Sequence, residues 1–228
     1  MPKIILLLLL PLLSVAQKPS KKDYLVTLKT DYGMMHLILH NQTPKHKENF
    51  IKLVEQKFYD GLLFHRIIEG FMVQGGDPNS RSAAAGQPLG SGDIGYKVPA
   101  EFMPELFHKK GAVAAARDNN PEKASSGCQF YIVQGRVWDD ENLQKQMARS
   151  GRPFTDEQKQ TYKTLGGSPH LDGNYTVFGQ VIDGIAVIDS IAKQPRGPMD
   201  RPNQDIRMAM EGKWVKKKKI TKQFGYQY

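Results

Sequence analysis

Cysteine is almost missing: Cys128 stands alone among 228 residues. A single thiol closes no internal disulfide, so no disulfide framework holds the fold together. The segment Gly127-Cys128-Gln129-Phe130-Tyr131-Ile132-Val133 reads as a turn entering an apolar strand, which makes the thiol a packing group and not a nucleophile. The chain also lacks a nucleophile elbow and any zinc-ligand spacing, which excludes the common hydrolase chemistries. Internal repeats and low-complexity blocks are missing too. Its longest apolar run, Ile4 to Leu13, falls well short of the roughly 20 residues that cross a bilayer. Acidic side chains are the minority, 23 against 32 Lys and Arg, giving a net charge of +9. Much of that excess is terminal, in Lys18, Lys21, Lys22, Lys213 and Lys216 to Lys219. Such runs are usually solvated, so no specific nucleic-acid partner is expected.

What is present first is a targeting pattern. Lys3, the apolar run and Ser14-Val15-Ala16 have the charge, length and small residues of a signal peptide cut after Ala16. Residues 1–16 are therefore expected to be removed, and the protein exported to a periplasm or secreted. No cysteine follows the cut, so no acyl anchor or other stable membrane anchor is expected. Residues 17–22 read as a basic linker, 23–211 as one domain, and 212–228 as a basic tail.

Within the domain, Tyr24 to Thr30 alternates in period two, Asp31-Tyr32-Gly33 turns, and Met34 to His40 resumes the pattern, which predicts a hairpin. Thr43-Pro44 reads as a cap followed by proline at the first helical position. Phe50, Leu53 and Val54 carry the helix to about Lys57. Short apolar segments follow at 64–67, 71–74, 112–116, 130–134, 176–181 and 205–210, separated by glycine and proline. With the hairpin they make about eight strands, a number suited to a closed barrel. Ile185, Ile188, Ile191 and Ala192 predict a second helix over 184–193 that caps one end. The polar stretch at about 139–166 breaks the pattern. Thr155-Asp156-Glu157-Gln158 resembles a capping box and Gly166-Gly167 a stop, which predicts a helical insertion without a core of its own.

The segment Phe64-His65-Arg66-Ile67-Ile68-Glu69-Gly70-Phe71-Met72-Val73-Gln74-Gly75-Gly76-Asp77 resembles the signature of the cyclophilin family of peptidyl-prolyl cis/trans isomerases. Ser126-Gly127-Cys128-Gln129-Phe130 resembles its second motif, and His170-Leu171-Asp172-Gly173 with Val177-Phe178-Gly179 its third. The resemblance spans roughly residues 24–210. It implies a mainly β protein, a closed eight-stranded antiparallel barrel capped by two helices, in agreement with the strand count.

It also implies a reaction. Twisting an X-Pro bond costs about 18–20 kcal/mol because amide resonance is lost. No bond breaks, so no nucleophile, metal or cofactor is needed. A fixed donor aimed at the proline nitrogen stabilises the twisted form above either planar one. The resemblance assigns that role to Arg66, whose guanidinium is always charged. It makes Gln74 the residue that orients Arg66, and Phe71, Met72, Leu171 and Tyr131 the proline pocket. Gln129 would hold the neighbouring substrate residue, with Ala116 and Arg117 along the peptide. His65 is expected to point away from Arg66, because strand neighbours face opposite sides.

Several departures from the family pattern matter. His170 stands where many members carry tryptophan, Tyr175 where they carry histidine, Tyr131 in place of phenylalanine and Arg117 in place of asparagine. Both His170 and Tyr175 remain expected substrate contacts. Loss of the indole at 170 predicts weak cyclosporin binding. The insertion enters just before His170 and is expected beside the peptide groove, where it would select substrates. The expected partners are proline-containing polypeptides, bound by a monomer. A non-catalytic holder of such segments is the alternative, and an intact Arg66 argues against it.

Overall fold

The computed structural model describes residues 20–228, so the segment read as a signal peptide lies outside the described residues. The expected hairpin forms from β1 (Lys22–Thr30) and β2 (Gly33–Leu39), with Thr30 opposite Gly33 and Leu25 opposite Ile38. Gly33 sits at φ +126°, a turn conformation that costs glycine little. The first helix, α1 (Pro44–Glu55), starts at the expected proline, but Thr43 does not cap it. Glu101 does so from a distant loop, accepting from the Lys45 and His46 N–H groups at 3.1 and 3.0 Å.

β3 (Phe64–Ile68) and β4 (Met72–Gly75) form a second hairpin. They are followed by β5 (Lys97–Val98), β6 (Ala112–Ala115), β7 (Ser125–Ser126) and β8 (Phe130–Val133). The insertion holds α2 (Asp140–Ser150) and α3 (Asp156–Thr164), the latter opened by the capping box of Thr155 and Gln158. β9 (Val177–Asp183), α4 (Ile185–Ala192), β10 (Ala209–Lys216) and α5 (Lys217–Phe224) complete the chain.

Eight strands make one antiparallel sheet in the order β10-β1-β2-β9-β6-β8-β4-β3, while β5 and β7 pair separately. The expected closed barrel is not formed. The sheet is an open half-barrel with β10 and β3 at its edges. The cause lies in the last strand, expected at 205–210 but beginning only at Ala209 and pairing with β1. The irregular residues before it meet the start of β3 through isolated bonds. Phe64 N–H donates to the Ile206 carbonyl and Met208 N–H to the Leu62 carbonyl, each at 2.9 Å.

The expected basic tail is also corrected. Residues 213–216 continue β10, with Lys213 opposite Leu25 and Trp214 opposite Tyr24. On α5, Ile220 is fully buried against Leu25 and Ile38, with Val215 and Phe224 beside it. Apolar residues at 215, 220 and 224 anchor the segment despite the lysines between them.

Inside the curve, Phe50, Leu53 and Val54 of α1 and Ile188 and Ile191 of α4 pack against Val73, Val113, Ile132 and Phe178. The two expected capping helices thus fill the hollow of the sheet. The insertion has a small cluster of Leu143, Phe154 and Tyr162, completed by Phe107 from outside it.

Candidate active site

Strand alternation sorts this sheet into two faces. Ile67, Val73, Ile132 and Val113 face the core. Their neighbours face outward, and register aligns them: Arg66 pairs with Gln74, Gln74 with Tyr131, and Tyr131 with Ala114. Residues directly opposite on antiparallel strands share a face, so four strands present a guanidinium, an amide, a phenol and a methyl in one row. Met72 lies two residues from Gln74 on that face. Ala112, Ala114, Ala116, Tyr131 and Leu171 join it in a second, outer apolar cluster, flanked by Phe71 and Tyr175. Small alanines beside a large phenol leave a hollow. A cavity of about 120 Å³ results, lined by Arg66, Phe71, Met72, Gln74, Ala116, Arg117, Tyr131, Leu171 and Tyr175. Nine of the eleven expected site residues meet there.

The other two lie at its margins. Gln129 is buried, donating through its amide nitrogen to the Gly90 and Gly92 carbonyls, both at 2.9 Å. It faces an adjoining cavity of about 350 Å³ that shares Gln74, Ala116 and Arg117 with the first. His170 is exposed and leans on Phe71, ring centroids 5.2 Å apart. Partial burial and the neighbouring His108 lower its pKa.

Polar contacts differ from expectation at two places. Gln74 lies opposite Arg66, but its amide donates to Gln129 Oε1, at 3.2 Å, and not to Arg66. Arg66 is held instead by Asp200, whose Oδ2 accepts from Nε at 3.3 Å. Asp200 lies 134 residues away in the chain, and no local pattern announces it. The hydroxyl of Tyr131, the group that a phenylalanine would lack, points inward to His108 Nε2 at 2.9 Å. Arg117 donates to the Asn174 carbonyl at 3.0 Å and covers the Tyr175 ring at 4.7 Å.

His65 lies away from this face, as expected. It is the extra residue of a bulge between Phe64 and Arg66 and is 3% exposed. Its ring nitrogens have no hydrogen-bond partner among the described residues, and burial lowers its pKa to about 4. Cys128 is buried with its thiol pushed up to about 11, which suits packing and not nucleophilic attack. Among the described residues no group of His, Cys, Asp and Glu could hold a metal ion.

Comparison with known proteins decides the family. Residues 25–212 match the family model described as cyclophilin type peptidyl-prolyl cis-trans isomerase/CLD. The chain belongs to the cyclophilin-type isomerase family. A putative peptidyl-prolyl cis-trans isomerase of Staphylococcus aureus is 36% identical over 184 residues, covering 79% of this chain and 87% of that protein. A putative bifunctional phosphatase/peptidyl-prolyl cis-trans isomerase of Streptococcus pyogenes is 38% identical. There the match covers 79% of this chain but only 37% of the longer protein. The crystal structure of a Cryptosporidium parvum cyclophilin-type isomerase shares the fold, with TM-score 0.58, 23% identity, and coverage of 83% of this chain and 98% of that one. The same parasite protein has been crystallised in the presence of the dipeptide Ala-Pro.

Proposed function

We propose that this isomerase accelerates rotation about X-Pro bonds by seating the proline ring in the small cavity beneath Arg66. The uncatalysed rotation takes tens to hundreds of seconds, and each 1.36 kcal/mol taken off the barrier gives about tenfold in rate. As the bond twists, the proline nitrogen gains a lone pair, and a charged donor beside it favours that state over both planar ones. The observation that carries this reading is the single row of Arg66, Gln74 and Tyr131 at the small hollow that Phe71, Met72, Ala116 and Leu171 also line. The crystal structure of the Cryptosporidium relative in the presence of Ala-Pro supports a proline-sized occupant.

In this reading Phe71, Met72, Leu171 and Tyr131 grip the ring while the preceding carbonyl turns. Gln74 and Gln129, bonded to each other, face the cleft where the adjoining residue would lie, with Ala116 and Arg117 along the peptide and His170 and Tyr175 at the rim. The cavity is complete within one chain, so a monomer suffices. Export is part of the same proposal, supported by Lys3, the apolar run and Ser14-Val15-Ala16; clients would then be exported polypeptides folding outside the cytoplasm. NMR exchange spectroscopy on a short Ala-Pro peptide tests catalysis without a helper protease. The chain from Gln17 should bring cis–trans exchange into the spectral time window. Binding without faster exchange would instead show a holder.

A further inference from the structure

Tyr131 forms a wall of the proposed proline cavity, yet its hydroxyl serves a buried chain of hydrogen bonds behind it. That hydroxyl lies 2.9 Å from His108 Nε2. His108 Nδ1 lies 2.8 Å from Asp172 Oδ1, and Asp172 Oδ2 accepts from the Tyr162 hydroxyl at 2.6 Å. An ionised carboxylate only accepts, so Nδ1 carries a ring proton, and in the neutral ring Nε2 then offers its lone pair to Tyr131. The His108 backbone N–H also donates to Asp172 Oδ1, at 2.9 Å, fixing the ring's base. Tyr131 and His108 lie nearly parallel, ring centroids 6.0 Å apart. His108 and Tyr162 are fully buried and Tyr131 is 4% exposed, so water has little access to the Tyr131–His108 end of the chain, while Asp172 is only partly buried. Burial raises the pKa of both phenols, which therefore stay donors.

The far end of this chain belongs to the insertion. Tyr162 sits on α3, between Phe107 and Phe154. Gly167 presses on its ring, where a Cβ would stand 2.6 Å from Tyr162 Cε1. The insertion is thus fastened to the pocket wall by a continuous set of four side chains.

We propose that the helical insertion sets the shape of the proline pocket through Tyr162, Asp172, His108 and Tyr131. The proposal rests on the reading that this cavity holds the proline ring. Tyr162, Asp172 and His108 are positioning residues, since only Tyr131 lines the cavity. Tethered by its hydroxyl, the Tyr131 ring cannot tilt outward, and the pocket rejects rings larger than proline. A phenylalanine at 131 would lack the tether, and an insertion without Tyr162 would leave it slack.

The test uses the chain from Gln17 with Tyr162→Phe, Tyr131→Phe and the double variant. Arg66→Ala and Phe154→Leu serve as controls. kcat and KM are measured on an Ala-Pro peptide and on its six-membered pipecolyl analogue, and His108 ring nitrogens are followed by NMR. Tyr162→Phe should reduce the preference for prolyl over pipecolyl peptide by about two- to tenfold, the span of one net hydrogen bond. The change should fall mainly in KM and move the His108 Nε2 resonance. Tyr131→Phe should do the same, and the double variant should be no worse, because both break one chain. Phe154→Leu loosens the packing around Tyr162 but leaves all four hydrogen-bonding groups in place, so it should lower Tm and keep the preference. An unchanged preference in Tyr162→Phe, additive effects in the double variant, or an equal shift in Phe154→Leu would each overturn the proposal. A wild-type chain inactive on the prolyl peptide would sink the functional reading itself. An active wild type, silenced by Arg66→Ala but indifferent to Tyr162→Phe, would sink only the insertion's role.

Discussion

Arg66 owes its position to a side chain that no motif contains. Asp200 takes Nε, which leaves the terminal amino groups free to serve the cavity that Arg66 lines. Asp200 and Met199 both sit at positive φ, +60° and +58°, a conformation that non-glycine residues hold only when their surroundings impose it. Arg196 contributes, approaching Asp200 Oδ1 at 3.6 Å and donating to the Ile67 carbonyl at 2.9 Å. Both partners are about a third exposed, which discounts the ion pair toward the surface range. Asp200→Asn should therefore lower kcat only about two- to fivefold, read from exchange rates at saturating peptide; unchanged kcat would remove Asp200 from the account. His170, at the rim, also departs from the family pattern. Its imidazole stands where an indole donor is expected, so cyclosporin should bind weakly, and His170→Trp should tighten it by about tenfold through added ring area and a donor. Calorimetric titration of both chains decides, and tight binding to the unaltered chain would contradict it. The motif made Arg66, Phe71 and Met72 legible from sequence, because their strands are contiguous with it. Asp200 and His108 were not, because their contacts close over long loops.

At the scale of elements, the C-terminal segment shows how charge can hide packing. Lysines dominate residues 213–222, yet Ile220 is 0% exposed and seals Leu25 and Ile38. Ile220→Ala should cost about 2–5 kcal/mol, as buried large-to-small changes do, measured by urea unfolding. A solvated tail would show no change. Three positions of spacing within a lysine run are too few to outweigh composition, which is why the helix escaped notice. The insertion was more legible: a capping box and two glycines mark α3 at both ends, and these signals are local. Its attachment was not, since Phe107 and Asp172 flank it from outside. The start of α1 shows the same division. Pro44 fixed where the helix begins, while its capping partner, Glu101, lies 55 residues beyond His46.

For the whole molecule, alternation and turn residues located seven of the eight sheet strands, whereas closure depends on how the two edges, at β10 and β3, meet. Those pairings involve Leu62, Phe64, Ile206 and Met208, whose segments lack a continuous ladder, so a count of strands overstated the barrel. Buried histidines set another global property. His65 and His40 both have pKa values lowered to about 4, chiefly by burial, and His46 shifts the same way. An unfolded chain binds protons on these rings from about pH 6.5 downward, while the folded chain resists until about pH 4. Stability is therefore fully present above about pH 6.5 and falls as acid is added. His65 alone accounts for about 3 kcal/mol at pH 4. Urea unfolding at pH 7 and pH 4 should show that loss, and His65→Phe should reduce it, since neither ring nitrogen has a partner among the described residues to lose. A flat pH profile would contradict the burial argument.

In this isomerase one guanidinium is proposed to discriminate the twisted imide from its planar forms, and Arg66→Ala separates that role from binding. Peptide affinity by chemical-shift titration and exchange rate by NMR are to be measured on the same samples. Affinity should stay within a few-fold, because the apolar cavity remains, while the exchange rate should fall about 100- to 1,000-fold, the usual loss for one such donor. Exchange as fast as in the unaltered chain would contradict the account.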